Sequence, residues 1–123
     1  MTTVLLIQFD TDARLRRQAE LEKTGYQVVA VASLQEALDA LASAGPDLAV
    51  LDPDLWHAQE LRVLQALKSI DRTFPTIIYT DHSLFRDDFR YHMADAFLVR
   101  GSRRSSLEQC ISEVLEKRSM TVR

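Results

Sequence analysis

Short apolar runs alternate along the chain with longer amphipathic segments. The runs are rich in Val, Ile and Leu and show no polar alternation, which is typical of strands buried on both faces of a parallel sheet. They occupy residues 4–7, 28–31, 48–51, 76–79 and 96–99. This pattern predicts five strands, each followed by a helical segment.

Helical spacing is clear in the segments between the runs. Apolar residues recur at i, i+3, i+4 and i+7 after the second run and again near the C-terminus. Ser33 with Glu36, and Ser105 with Glu108, have the spacing of a capping box, which predicts two helix starts. Gly45 stands where a helix end is expected.

The first helix, about residues 11–24, has the weakest amphipathic pattern. Its many charged residues leave few apolar positions for packing, but its helix propensity is good and a parallel crossover requires it. We interpret the basic group Arg14, Arg16 and Arg17 as part of a solvated face. The residues left for packing are Ala13, Leu15, Ala19 and Leu21.

Five β-α units in 123 residues predict an α/β fold with an open parallel sheet and helices on both faces. Right-handed crossovers favour the strand order 2-1-3-4-5, a doubly wound, flavodoxin-like three-layer sandwich. We expect one domain over residues 1–118 and a disordered tail over residues 119–123.

Composition and charge narrow the class of protein. The chain is 46% hydrophobic and 27% charged, as globular proteins are, and its net charge of −3 disfavours nucleic-acid binding. No stretch approaches the roughly 20 apolar residues of a membrane span, and the N-terminal run lacks the basic flank of a signal peptide. The single cysteine, Cys110, lies in a helical pattern, which predicts a buried thiol and is consistent with a cytoplasmic location.

Polar side chains follow the predicted strands at their carboxyl ends, where parallel sheets place their sites. Asp52 follows the third strand, Thr80 the fourth and Arg100 the fifth. An acid, a hydroxyl and a cation are therefore expected at one edge of the sheet. This set can hold a phosphoryl group on Asp52, with Thr80 and Arg100 contacting its oxygens.

Three segments resemble the response-regulator receiver domain. Residues 45–52 read GPDLAVLD, residues 75–80 read PTIIYT and residues 93–100 read MADAFLVR. In this order and spacing they are similar to the third, fourth and fifth strands of the family, and the resemblance extends over about residues 4–117. It implies that Asp52 lies at the phosphoacceptor position, that Thr80 is the switch hydroxyl, and that Phe97 lies at the aromatic switch position.

The chain departs from the family's pattern where the family holds a magnesium ion. Gln8 and Phe9 stand at the positions of two adjacent acids, and neither supplies the carboxylate that Mg²⁺ prefers. Asp10 follows at a position where an acid is also common. Asp81 replaces a small residue and adds bulk and negative charge, and Arg100 replaces a compact lysine with a broad planar cation.

The leading hypothesis is an atypical receiver domain in phosphorelay-type signal transduction, with impaired or absent Mg²⁺-dependent phosphorylation. We expect it to act mainly as a protein–protein interaction module, with no enzymatic activity and no cofactor. The expected partner is a signalling protein: a histidine kinase, an output domain or another receiver. Neither nucleic acid nor a membrane is expected. A homodimer through the predicted fourth helix, fifth strand and fifth helix is a further expectation.

Two other hypotheses remain open. The first is a conventional receiver phosphorylated on Asp52, with Asp10 and Asp54 as substitute acids around Mg²⁺. The second is a phosphohydrolase, because Asp52-Pro-Asp54 resembles the Asp-x-Asp nucleophile motif of haloacid-dehalogenase-like enzymes. Against the second, that motif normally lies on the first strand of a longer chain, and no room remains here for a cap.

Overall fold

The computed structural model describes residues 1–53, 59–81, 93–101 and 106–121, and within them the chain forms five strands and four helices. In chain order these are β1 (Thr3–Ile7), α1 (Thr11–Lys23), β2 (Gln27–Val31), α2 (Leu34–Ala44), β3 (Leu48–Leu51), α3 (Gln59–Ile70), β4 (Thr76–Thr80), β5 (Ala96–Val99) and α4 (Leu107–Thr121). The predicted fourth helix lies outside the described residues, so α4 is the predicted fifth helix.

All five strands pair in parallel in the order β2-β1-β3-β4-β5, which confirms the predicted fold class and strand order. Ile7 lies opposite Val31 on one side and Leu51 on the other, and Leu51 lies opposite Ile78. The three central strands therefore end nearly in register. As a consequence, the residues that follow them meet at one carboxyl edge of the sheet.

Each face of the sheet has its own hydrophobic core. Leu51 of β3 belongs to the cluster that contains Leu64 of α3, whereas its neighbour Val50 belongs to the cluster that contains Leu21 of α1 and Ile111 of α4. Successive residues of a strand point to opposite faces, so one apolar run serves both cores. The sheet thus lies between α2 and α3 on one face and α1 and α4 on the other.

Helix α2 begins and ends as its sequence predicts. The Oγ of Ser33 accepts a hydrogen bond from the backbone N–H of Glu36 at 3.1 Å and donates to the Glu36 carboxylate at 3.2 Å. At the other end Gly45 adopts φ 57°, the left-handed conformation that glycine takes without strain.

Helix α4 differs from the prediction at both ends. At its start the Oγ of Ser106 accepts from the backbone N–H of Gln109 at 3.1 Å, one residue later than the predicted cap Ser105, which lies outside the described residues. The helix then continues to Thr121, three residues beyond the predicted domain end at 118. Cys110 of this helix is buried, as expected. Within the described ranges, no helix is both long and apolar enough to cross a membrane.

Helix α1 corrects the sequence-based expectation about which residues pack. Leu15, expected to pack, is 58% exposed, whereas Arg17, expected in a solvated face, is only 2% exposed. Arg17 and Leu21 lie one helical turn apart, so burial of Leu21 brings Arg17 to the same inward face. Ala19 is exposed. The face of α1 that packs on the sheet therefore contains a buried cation, Arg17.

Candidate functional site

The sequence-predicted site residues meet at the carboxyl edge of β1, β3, β4 and β5. Asp52, directly after β3, is 4% exposed, and Thr80, the last residue of β4, is fully buried. Arg100 follows β5 and is exposed. Asp54, a candidate metal ligand in the sequence, lies outside the described residues. The expected convergence of an acid, a hydroxyl and a cation on this edge is therefore observed.

Gln8 connects the ends of β1 and β3 through its side-chain amide. Its Nε2 donates to the backbone carbonyl oxygen of Asp52 at 2.8 Å, and its Oε1 accepts from the backbone N–H of Asp10 at 2.8 Å. Gln8 is 4% exposed; its bond to Asp52 is buried, and its bond with the exposed Asp10 is partly buried. Both polar ends of the amide are engaged within the chain.

Asp10 begins helix α1. Its Oδ2 accepts from the backbone N–H of Ala13 at 2.9 Å, the usual bond of an N-terminal cap. Phe9, which the sequence predicts with Gln8 at the positions of the family's acid pair, is partly buried and packs on the core beneath α2 and α3. One candidate metal ligand thus serves as a helix cap, and its neighbour packs as an apolar side chain.

Arg17 enters this site from α1 and contacts two carboxylates. Its Nε lies 3.0 Å from Asp52 Oδ2, and its Nη2 donates to Asp81 Oδ2 at 3.0 Å. Its Cζ also lies 5.7 Å from the centre of the Tyr79 ring, within range of a cation–π contact. The i, i+4 spacing of Arg17 and Leu21 could have indicated that Arg17 faces inward. The many charged residues around it favoured the prediction of a solvated face instead.

Arg100 contacts acids other than Asp52. Its Nη1 lies 3.5 Å from Asp81 Oδ1 and its Nε lies 3.7 Å from Glu20 Oε2. The Tyr79 hydroxyl in turn donates to Glu20 Oε1 at 2.9 Å. Asp81 is consequently held between two guanidinium groups, one from α1 and one from the end of β5. Glu20 and Asp81 are site residues that the sequence did not place together.

Burial and neighbouring charges shift the proton affinities of this cluster. Burial raises the pKa of Asp52, although the neighbouring Gln8 amide and the charge of Arg17 act in the opposite direction and Asp81 adds to the rise. Burial and the bond to Glu20 raise the pKa of Tyr79 to about 12. Protonation of Asp52 is therefore easier in the folded protein than in a solvated chain.

The residues present do not fit a hard divalent cation. Such an ion needs several free oxygen ligands, yet Gln8 and Asp10 bond within the chain and Asp52 is paired with Arg17. A divalent ion 4 Å from the guanidinium would also be repelled by about 8 kcal/mol at an effective dielectric constant of 20. Among the described residues, no group of three or more His, Cys, Asp or Glu side chains is arranged to hold a metal ion.

An open cleft of about 260 Å³ lies over this cluster. Its lining combines Asp10 and Asp52 with two consecutive arginines of α1. The residues around it are Gln8, Asp10, Ala13, Arg16, Arg17, Asp52, Pro53 and Asp81. Phe97 lies away from this lining, because it is partly buried on β5 and packs on the core beneath α2 and α3.

Solved structures of receiver domains are similar to this fold. TrrA of Thermotoga maritima, solved with Mg²⁺-BeF, is 23% identical, with a TM-score of 0.79 over 93% of this chain and 99% of that one. A structure of the histidine kinase ThkA in complex with TrrA gives 23% identity and a TM-score of 0.78 over 94% of this chain and 99% of the matched one. The signal receiver domain of a histidine kinase from Syntrophus aciditrophicus is 26% identical, with a TM-score of 0.75 over 95% of this chain and 92% of that one. Comparison with curated protein sequences gave no match.

The assignment to a family comes from the sequence match. The family model of the response regulator receiver domain matches residues 4–118, nearly the whole chain. The matched region covers the five strands apart from Thr3, the first residue of β1, with Asp52 after β3 and Thr80 at the end of β4. The chain therefore belongs to the response regulator receiver domains of two-component signalling.

Proposed function

We propose that this receiver domain acts by protein–protein contact and does not use Mg²⁺-dependent phosphorylation of Asp52. The observation that carries the proposal is the ion pair of 3.0 Å between the Asp52 carboxylate and the buried guanidinium of Arg17. A carboxylate in such a pair is both less accessible and less nucleophilic than a free one. The acid at the phosphoacceptor position is already engaged within the chain.

The surroundings of Asp52 support the same conclusion. Asp52 must attack phosphorus through a deprotonated oxygen, but it is 4% exposed and burial raises its pKa. Asp81, on the neighbouring strand end, places a second negative charge near the position of an incoming phosphoryl group. At 4 Å, like charges repel by about 1 kcal/mol in water and about 4 kcal/mol near a protein surface.

The proposed partner is a signalling protein rather than a small substrate, and we propose no enzymatic activity. TrrA, a protein with the same fold, was solved in complex with a histidine kinase. A homodimer through the predicted fourth helix, β5 and α4 is part of the same proposal. The haloacid-dehalogenase-like alternative is not supported, since the chain belongs to a different family.

A phosphorylation assay tests the proposal directly. The purified protein is incubated with acetyl phosphate and Mg²⁺, and its intact mass is measured beside that of Asp52→Asn. We expect no phosphoryl adduct on either protein. An adduct on the wild type that Asp52→Asn lacks would establish the conventional receiver mechanism instead. Sedimentation of the free domain tests self-association, and a strict monomer at all concentrations would argue against the homodimer.

A further inference from the structure

An open cleft of about 210 Å³ lies at the amino edge of β4 and β5, the edge opposite the candidate functional site. The loop between α3 and β4 supplies Arg72 and Pro75 to its lining. One face of α4 supplies Val114, Lys117 and Arg118, which follow the i, i+3, i+4 spacing of a helix face. The lining therefore combines basic side chains with apolar ones.

The acids in and beside this cleft are already paired with cations. Lys68 Nζ lies 2.8 Å from Asp95 Oδ2, and the same oxygen accepts from the backbone N–H of Thr76 at 2.8 Å. Arg118 Nη2 donates to Asp71 Oδ2 at 3.2 Å. Both negative charges are thus compensated within the chain.

Further basic residues give the cleft a surplus of positive charge. Arg72 and Lys117 line it, and both are exposed. Among the residues that the structure describes, no carboxylate forms an ion pair with the Arg72 guanidinium. The chain as a whole has a net charge of −3, so the local charge is opposite in sign to that of the molecule. An anionic group is therefore attracted to this cleft.

The two walls of the cleft are held at a fixed separation. Arg118 of α4 donates from Nη1 to the backbone carbonyl oxygen of Thr73 at 3.1 Å, and its Cζ lies 5.7 Å from the centre of the Phe74 ring. Lys68 of α3 donates to the backbone carbonyl oxygen of Phe74 at 2.9 Å. The cleft is therefore formed before any ligand binds, which lowers the entropic cost of binding.

Exposed apolar residues stand close to the cleft in the chain. Of the large hydrophobic residues that are exposed within the described ranges, three lie one or two positions from Asp71, Asp95 or Arg118. They are Ile70 (64% exposed), Met93 (42%) and Met120 (74%). Single exposed apolar residues are ordinary, but several of them beside a basic cleft are typical of a protein-binding surface, where Met and Arg are enriched. This favours a polypeptide over a simple anion as the ligand.

We propose that this cleft binds an acidic, amphipathic segment of a partner protein. Carboxylates of the segment bind Arg72 and Lys117, and its apolar side chains pack on Pro75 and Val114. A long polyanion such as a nucleic acid fits less well, because the net charge of −3 repels it, whereas a short acidic segment meets only the local charge. The inference deepens the proposed function and rests on it, since both assign this chain to protein–protein contact. It names the surface and the charge of the partner.

Binding of a synthetic peptide tests the proposal. The probe is a fluorescently labelled amphipathic peptide of Glu and Leu, titrated with the full chain and followed by fluorescence anisotropy. We expect binding that weakens with added salt, because the screening length falls from about 10 Å at 0.1 M to about 3 Å at 1 M. A peptide with Lys in place of Glu should not bind, and one with Ser in place of Leu should bind more weakly than the Glu and Leu peptide.

Matched charge reversals locate the binding surface. Arg72→Glu and Lys117→Glu should each weaken binding of the Glu and Leu peptide by about 10-fold or more, because an attractive contact becomes a repulsive one. Arg62→Glu makes the same change at an exposed residue near the other end of α3 and should bind as the wild type does. Arg72→Ala should weaken binding by a smaller factor, and it replaces Arg72→Glu if circular dichroism shows the latter to be unfolded.

Three results would overturn the inference. The first is a wild type that binds the Glu and Leu peptide no better than the Lys and Leu peptide. The second is an affinity that Arg72→Glu leaves unchanged or that Arg62→Glu lowers equally. The third is a change in the sedimentation of the free domain on Arg72→Glu, which would assign the surface to a second copy of this chain.

The peptide assay and the phosphorylation assay fail independently. A phosphoryl adduct on wild-type Asp52 would contradict the proposed function, whereas peptide binding takes place at the opposite edge of the sheet and is read separately. Absence of peptide binding would overturn this inference and leave the result on Asp52 as it stands.

Discussion

Arg17 Nε and Asp52 Oδ2 lie 3.0 Å apart, and both side chains are almost completely buried. The pair joins the inward face of α1 to the end of β3, at the residue that the sequence predicts as the phosphoacceptor position. Breaking such a pair by removing one partner leaves the other charge buried and uncompensated, which is costly. The chemistry of Asp52 therefore cannot be considered apart from Arg17.

Gln8 should be a stability residue of the site. Gln8→Ala removes the donor to the Asp52 carbonyl oxygen and the acceptor for the Asp10 N–H, and we expect a loss of about 1 to 3 kcal/mol in the free energy of unfolding. Gln8→Glu should cost at least as much, because its carboxylate would face that carbonyl oxygen without a proton to donate. Urea denaturation measures both.

The exposed Gln27 offers the control for Gln8. Its side chain accepts from the Thr3 hydroxyl at 3.2 Å on the solvent-exposed edge strand. Gln27→Ala should change the free energy of unfolding by less than about 0.5 kcal/mol. Equal losses in the free energy of unfolding for Gln8→Ala and Gln27→Ala would show that the bonds of Gln8 stabilise the fold no more than the exposed bond of Gln27.

The pH dependence of stability should report the raised pKa of Asp52. The pKa of Asp52 in the folded protein lies above the unfolded value of 3.8. At pH values between these two pKa values, the folded protein therefore binds more protons than the unfolded chain. The stabilisation of the fold that comes from the raised pKa of Asp52 is therefore fully present below pH 3.8 and decreases as the pH rises through the folded-state pKa. The stability of the wild type relative to Asp52→Asn should fall over this interval.

Asp71 provides a control of opposite sign. The hydrogen bond from Thr73 lowers the pKa of Asp71, so its contribution is present above pH 3.8 and is lost as the pH falls through the folded-state pKa. Thermal unfolding across the acid range, measured for the wild type, Asp52→Asn and Asp71→Asn, separates the two effects. Parallel pH curves for the wild type and Asp52→Asn would contradict the raised pKa.

Tyr79 should ionise late in an alkaline titration. Its pKa of about 12 follows from burial and from the bond that its hydroxyl donates to Glu20. The folded-state pKa lies above the ordinary 10.0, so this phenol stabilises the fold below pH 10 and loses that effect as the pH rises toward 12. Tyr79→Phe should remove one late step from the ultraviolet titration. Its persistence in the variant would assign the late step to another tyrosine.

The sequence was informative where structure follows from local pattern. Continuous apolar runs specify strands buried on both faces. Because parallel sheets place their sites at the carboxyl ends of the strands, the sequence alone predicts that Asp52, Thr80 and Arg100 lie at one edge. The sequence also predicts the Ser33 cap of α2, because the capping bond joins residues only three positions apart and so has a local pattern. The resemblance to the family predicts that Gln8 and Phe9 stand where its acid pair is expected.

The partners of those residues were decided only by the tertiary structure. Arg17 and Asp81 are 64 positions apart in the chain, and their contact depends on the rotation of α1 about its axis as it packs on the sheet. That rotation is set by burial of Leu21, which faces the same way as Arg17, whereas composition alone marked the segment as a charged surface. The sequence by itself determined the fold and placed the residues that directly follow the strands, such as Asp52, Thr80 and Arg100, at the site edge. The packing of α1 decided that the Arg17 guanidinium would pair with Asp52 and Asp81, because long-range side-chain pairs have no periodic signature in the chain.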